Sequence, residues 1–333
     1  MRIFCLLALL FLSQESNLVR SQSPTDPPIA EASTDDETPA TPSSPMAFLN
    51  KTAGGTQVWT DHAWVDGNRI QQNALTGHWR LLARDNTRIT WGTRQHCETS
   101  LAQLIAKASP APNCERVVIL LHGLMRTHHS MMQIEKDLRA TDDAEIIRFS
   151  YASTRCSIGD HAAALRELLE GLPEDTRISF VGHSMGNIVT RHLIGDLQRD
   201  GDPKNLLPRC ESMVMLGPPN QGAAIARRIN AAGIFDVITG KGCRELGGEW
   251  QAFADRLATP PFPFAIVAGD LSSNPIQNPL VDGASDFVVS VEEAQLDGAE
   301  QFYTVPVLHS FLMNNEKARE LTIDFLISHR TQS

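Results

Sequence analysis

Residues 178–187 read Ile-Ser-Phe-Val-Gly-His-Ser-Met-Gly-Asn, and this stretch decides how the rest of the chain is read. Ile178 to Val181 is a short apolar, β-rich run, whereas Asn187 to Leu197 carries apolar residues at helical spacing. Between them lies Gly182-His183-Ser184-Met185-Gly186, a G-x-S-x-G pentapeptide with a strand signal before it and a helix signal after it. In such a strand-to-helix corner the serine backbone turns so tightly that the neighbours two residues away must be glycine. The corner lifts the Ser184 hydroxyl above the sheet and aims the next amide, that of Met185, at an oxyanion forming beside it. The helix N-terminus adds partial positive charge at the same place. The bland alternative is a plain glycine-rich turn, and the flanking pattern argues against it.

Outward from this corner, short apolar runs alternate with helical stretches. Strands are expected at Val117 to Leu121, Glu145 to Tyr151, Ile178 to Val181, Met213 to Leu216, Phe264 to Ala268 and Phe302 to Leu308. Helices are expected at Ala162 to Leu172, Asn187 to Leu197 and Glu316 to Ile327. Such alternation implies βαβ units and a mostly parallel sheet buried on both faces. Ahead of it, Trp79 to Leu82 and Arg88 to Trp91 flank Asp85-Asn86, which predicts an N-terminal antiparallel hairpin. The strand from Val117 ends in Leu121-His122-Gly123-Leu124, a loop placed to offer the Leu124 amide as a second oxyanion donor. His122 is read as a residue that orders this loop.

Three segments together, Leu121-His122-Gly123-Leu124, Gly182-His183-Ser184-Met185-Gly186 and Gly217-Pro218-Pro219-Asn220-Gln221-Gly222-Ala223, resemble the lipase and esterase branch of the α/β-hydrolase superfamily. The resemblance runs from Val117 to Phe325. It implies an α/β-hydrolase fold, a triad in the order Ser, Asp or Glu, His, and cleavage of carboxylic esters of small molecules or lipids without a metal or organic cofactor. Beyond His192 on the predicted helix, only His309 and His329 follow Ser184. His309 lies just past a predicted strand and resembles the branch's base, while His329 sits in the polar C-terminal end. Asp286, in Ser285-Asp286-Phe287-Val288-Val289-Ser290, resembles the branch's acid; Asp270 and Asp282 are its competitors. The expected set is therefore Ser184, Asp286 and His309, with Leu124 and Met185 at the oxyanion. The same residues would serve a thioesterase, an amidase or an acyltransferase. The rivals outside catalysis are a hydrolase-fold protein that only binds an acyl ligand, and a scaffold.

Between Ala223 and Phe262 the alternation lapses. Ile225, Ile229, Ile234 and Phe235 are interspersed with Arg227, Arg228 and Lys241, and Gly233, Gly240 and Gly247 offer hinges. This 223–262 insertion is placed to cover the corner, either as a lid whose apolar face meets a lipid interface or acyl chain, or as a fixed cap.

The chain has 333 residues and a formal net charge of −10. Much of the excess lies between Ser21 and Asn50, which holds Asp26, Glu31, Asp35, Asp36 and Glu37 and no Lys or Arg. A mildly acidic body argues against a nucleic-acid partner, because neutralising phosphates needs clustered cations. Arg2 precedes the apolar run Ile3 to Leu12, too short for the roughly 20 residues that span a bilayer and suited to a signal peptide over 1–21. Export follows, or anchoring if that segment is not cleaved. The Pro/Ser/Thr/acidic stretch 22–46 reads as a disordered linker, leaving 47–333 as the hydrolase domain. After Cys5 leaves with the signal, Cys97, Cys114, Cys156, Cys210 and Cys243 remain; none forms a Cys-x-x-Cys pair, so zinc is not expected. Cys97 with Cys114, flanking a predicted helix, is the first disulfide candidate.

Overall fold

A computed structural model of the chain describes residues 51–55, 57–107, 115–222, 245, 250–273, 281 and 283–330. The expected signal segment and linker lie outside them, as do most of the 223–262 insertion, Asp282, Cys114 and Cys243. Cys97, the other half of the expected pair, is a buried free thiol. No helix among the described residues is long and apolar enough to cross a membrane.

The first elements are β1 (Trp59–Val65), β2 (Asn68–Asn73), β3 (Trp79–Leu82) and β4 (Arg88–Gly92), an antiparallel four-stranded sheet in chain order. The expected hairpin is β3–β4, paired Arg80 to Trp91 and Trp79 to Gly92. The sequence pattern did not reveal β1 and β2, although Asp66-Gly67 between them marks their turn, with φ of 49° and 80°. Two consecutive left-handed residues make the tight turn whose twist suits a two-residue hairpin loop. Helix α1 (Arg94–Lys107) lays Cys97 and Leu101 against Ile70 and Leu81 of this sheet.

Then follow β5 (Arg116–Leu121), α2 (Met132–Thr141), β6 (Glu145–Phe149), α3 (Ile158–Glu170), β7 (Arg177–His183), α4 (Met185–Asp200), β8 (Cys210–Leu216), α5 (Trp250–Ala254), β9 (Phe264–Gly269), α6 (Val291–Ala294), β10 (Gln301–Val305) and α7 (Glu316–Ser328). The last six strands form one parallel sheet in the order β10-β9-β8-β7-β5-β6. On β5, Val117, Ile119 and Leu121 enter the core shared with α3 and α4, while Val118 and Leu120 enter the core shared with α2 and α7. Alternating side chains that are apolar on both faces are what a sheet covered by helices on each side requires. Each fully buried Leu or Ile contributes about 1.5–3 kcal/mol. The ends differ modestly from expectation: β6 stops at Phe149 and β10 at Val305, and α3 begins at Ile158, where Ser157 and Asp160 form a reciprocal capping box.

Strand order reverses between β5 and β7: β6 lies on one side of β5 and β7 on the other. The connection after β5 runs to α2 on one face and the connection after β7 to α4 on the other, opening a crevice at the carboxyl ends of these strands, where ligands bind in open α/β sheets. The antiparallel sheet is tied to that edge. Asp61 of β1 is fully buried; its Oδ2 accepts from the Ser150 amide at 2.7 Å, its amide donates to Ser150 O, and its Oδ1 accepts from Gln71 at 2.6 Å. Gln71 Oε1 in turn accepts from Arg80 at 2.9 and 2.7 Å. Burial raises the Asp61 carboxyl above the usual carboxylate range, opposed by Arg69 and these hydrogen bonds. Removing one member of a buried, satisfied network strands the others. Asp61→Ala is expected to cost about 3 kcal/mol, read by denaturant unfolding; a loss under about 0.5 kcal/mol, the range of neutral surface changes, would show that the network anchors nothing.

Candidate active site

Ser184 stands between β7 and α4 with φ 52° and ψ −121°. A non-glycine residue in so sparsely populated a region costs about 1–3 kcal/mol and persists only where its surroundings enforce it. Here the Ser184 amide donates to Leu216 O at the end of β8 (2.8 Å), and the Asn187 amide and side chain both donate to Ser184 O (3.1 Å each). Asn187 Nδ2 also reaches Leu216 O at 3.3 Å. A serine at a helix N-cap ordinarily turns its hydroxyl back to a first-turn amide; Ser184 makes no such bond. The two flanking glycines are steric necessities. A Cβ at 182 would fall 2.2 Å from Asn187 Oδ1, and one at 186 would fall 2.7 Å from Leu121 O and 2.9 Å from His122 O. Backbone thus meets backbone where α4 begins, bringing the loop after β5 against the corner.

In that loop a Cβ on Gly123 would lie 3.1 Å from Ser184 Cβ, so the Leu124 segment runs alongside the serine. Met185, fully buried, is the first residue of α4, and its amide is among the helix-start donors that lack an intrahelical acceptor. His122 is buried: its Nδ1 donates to Gly123 O at 2.9 Å, its ring stacks on Tyr151 at 4.0 Å, and the Tyr151 hydroxyl donates to His122 O. Those contacts order the loop. Tyr151 carries no signal of this role in the sequence, where it reads only as the end of an apolar run.

His309 opens the turn His309–Asn314 after β10 and is 3% exposed. Its Nδ1 lies 2.7 Å from Asp286 Oδ2, and its amide donates to Asp286 O at 3.0 Å. Asp286, 1% exposed, accepts at Oδ1 from the amides of Val288 (3.0 Å) and Val289 (2.8 Å). A buried carboxylate needs such compensation. With Nδ1 engaged, His309 Nε2 is buried and makes no hydrogen bond among the described residues. The ring overlies Gly217, where a Cβ would stand 3.1 Å from both Cε1 and Nδ1. Gly217 directly follows Leu216, whose carbonyl holds the Ser184 amide, so imidazole and serine share the carboxyl edge of the sheet.

Asp270, His329 and His192 bond other partners. Asp270 Oδ1 accepts from Ser272 N (2.8 Å), closing its own turn. His329 bonds Phe325 O and Glu300 at the end of α7, and His192 bonds Asp196 on α4. The described end of the 223–262 insertion packs on the core: Phe253 stacks with His192 (5.5 Å), Phe262 with Phe180 (6.3 Å), and Glu245 accepts from the Ile158 amide (2.7 Å). Residues 250–262 thus pack against α4 and the sheet behind it.

Residues 80–258 match the model of a family described as Domain of unknown function (DUF7379), more than half of the chain. No curated protein matches the sequence. Among solved structures, the mature form of lipase BlEst2 from Bacillus licheniformis is similar with a TM-score of 0.50 and 19% identity, over 66% of this chain and 93% of that one. Its propeptide form gives a TM-score of 0.51 and 16% identity, over 68% and 54%. At these identities the likeness speaks to the fold, which is that of the α/β-hydrolases.

Histidines crowd this edge, and most are neutral. Burial brings His122 down to about 4 and His161 to about 3, and drives His128 and His183 well below the ordinary 6.5. Below 6.5 the unfolded chain therefore takes up protons that the folded chain refuses, so stability falls as pH drops toward about 4. Each such histidine is expected to remove about 1.4 kcal/mol per pH unit in that window. The thermal midpoint should fall from pH 7 to pH 5, and His161→Leu should fall less. A profile flat over this range, or a variant that tracks the parent, would refute the burial argument.

Proposed function

The chain belongs to the DUF7379 family, and we propose that this member is a serine hydrolase that cleaves carboxylic esters of small molecules or lipids through an acyl-enzyme intermediate. One observation carries the reading. A buried imidazole is fixed by Asp286 at one nitrogen, presents the other without a partner among the described residues, and sits over Gly217 beside the anchor of the Ser184 corner. Other buried rings, among them His122, His161 and His183, also leave a nitrogen without a partner among the described residues; His309 is set apart from them by its bond to the buried carboxylate of Asp286.

In this reading His309 Nε2 takes the Ser184 proton as Oγ attacks the ester carbonyl. The carbonyl electron pair moves to oxygen, where the Leu124 and Met185 amides receive it; one such donor is worth about 3 kcal/mol in the transition state. Asp286 keeps the proton on Nδ1 and stabilises the imidazolium. The imidazolium protonates the departing alcohol, leaving the acyl group on Ser184. Water then gives its proton to His309 and attacks the acyl carbon, and the ring returns that proton to Ser184. Main-chain compensation of Asp286 by Val288 and Val289 supports its role as the fixed acid.

Two measurements test the proposal. A fluorophosphonate probe should label the protein at Ser184, and Ser184→Ala should abolish labelling and reduce hydrolysis of p-nitrophenyl esters to the trace that oxyanion contacts support. Asp286→Asn should preserve the fold and lower kcat by on the order of 10⁴. Hydrolysis by Ser184→Ala at the parent rate would contradict the assignment. A p-nitrophenyl series of increasing acyl length, run beside matched thioesters and amides, would fix the bond and the chain length preferred.

A further inference from the structure

The turn that carries His309 is held by two side chains outside the triad. His183, the residue before the nucleophile, is 2% exposed, and its Nε2 donates to the main-chain carbonyl of His309 at 3.0 Å. Arg126, three residues beyond Gly123, is 4% exposed, and its Nη2 donates to the carbonyl of Ser310 at 3.3 Å. Successive carbonyls of the base turn are thereby gripped from the nucleophile corner and from the oxyanion loop. The His183 ring also acts as a spacer. It lies 4.9 Å from the His309 ring, and a Cβ on Gly123 would come within 2.9 Å of its Nδ1.

Resting on the triad reading above, we propose that His183 and Arg126 are positioning residues, which set the distance of His309 from Ser184 by bracing its turn against the two loops that carry the nucleophile and the oxyanion donors. Neither touches the reacting atoms. Neutrality suits His183 to this role, since burial first, then the charge a protonated His309 would place beside it and the Arg126 guanidinium, disfavour its protonation. An uncharged ring at this distance adds no repulsion when His309 becomes an imidazolium. A lysine or a protonated ring there would oppose the step.

The test uses the full chain with p-nitrophenyl butyrate and a fluorophosphonate. His183→Phe keeps an aromatic spacer and loses the donor. It is expected to lower kcat roughly hundredfold, the scale on which ångström misplacement acts, with KM changed less than about twofold and labelling slowed in proportion. His183→Gln restores an N–H donor and should recover to within about threefold of the parent, whereas the Arg126→Met/His183→Phe double variant should lose less than the product of the single losses, because both grips hold one turn. A folded His183→Phe with parental kcat, or a loss confined to KM, overturns the proposal. Should His183→Phe not fold, His183→Gln decides: recovery to near-parental labelling supports the brace, and a hundredfold loss with the donor retained overturns it. A parent chain that neither labels nor hydrolyses sinks the triad reading itself; a parent that labels at Ser184 while His183→Phe labels equally fast sinks the brace alone.

Discussion

The hydrogen bond from the Ser184 amide to Leu216 O, 2.8 Å across the carboxyl ends of β7 and β8, is the constraint on which the site depends. It holds a serine backbone in a conformation that serine does not favour, and the energy for that comes from the sheet core beneath it. With the corner fixed, Gly186 lets α4 start directly against the carbonyls of Leu121 and His122. The loop after β5 is thereby set beside the serine, and Gly217, next after Leu216, supplies the floor on which His309 rests. Four chain segments far apart in sequence meet because one strained residue is locked between two parallel strands.

The electrostatics of this edge follow from burial. His122, His128, His161 and His183 are held neutral chiefly because a charged ring there would lose its hydration. His309 differs from them in its surroundings: it alone of these rings bonds a buried carboxylate, itself compensated by two amides. Environment, more than residue type, separates the ring paired with an acid from the rings that pack the edge.

Much of this was legible in the sequence because it depends on local pattern. Gly182 and Gly186 around Ser184, and strand runs apolar on both faces, announce a parallel sheet with a strained corner, and the solved lipase structures share that fold. The proximity of Asp286 to His309 came from motif likeness and order along the chain; the structure supplies their 2.7 Å contact and engages Asp270 elsewhere. What stayed hidden is what only folding creates. Asp61, Gln71 and Arg80 are polar residues in polar-looking strands, and nothing local marks them as a buried network reaching Ser150. Arg126 looks like a surface cation until its loop is folded under the turn at Ser310. The β1–β2 hairpin is a different case, since Asp66-Gly67 was a readable signal that the polar residues of both strands obscured.

The grips on the base turn end on carbonyl oxygens, those of His309 and Ser310, and every residue type offers a carbonyl. Geometry at this turn is therefore written in the main chain and indifferent to the side chain at position 310. Ser310 is itself buried, so what the main chain leaves free there is the chemistry of a small side chain and not its size.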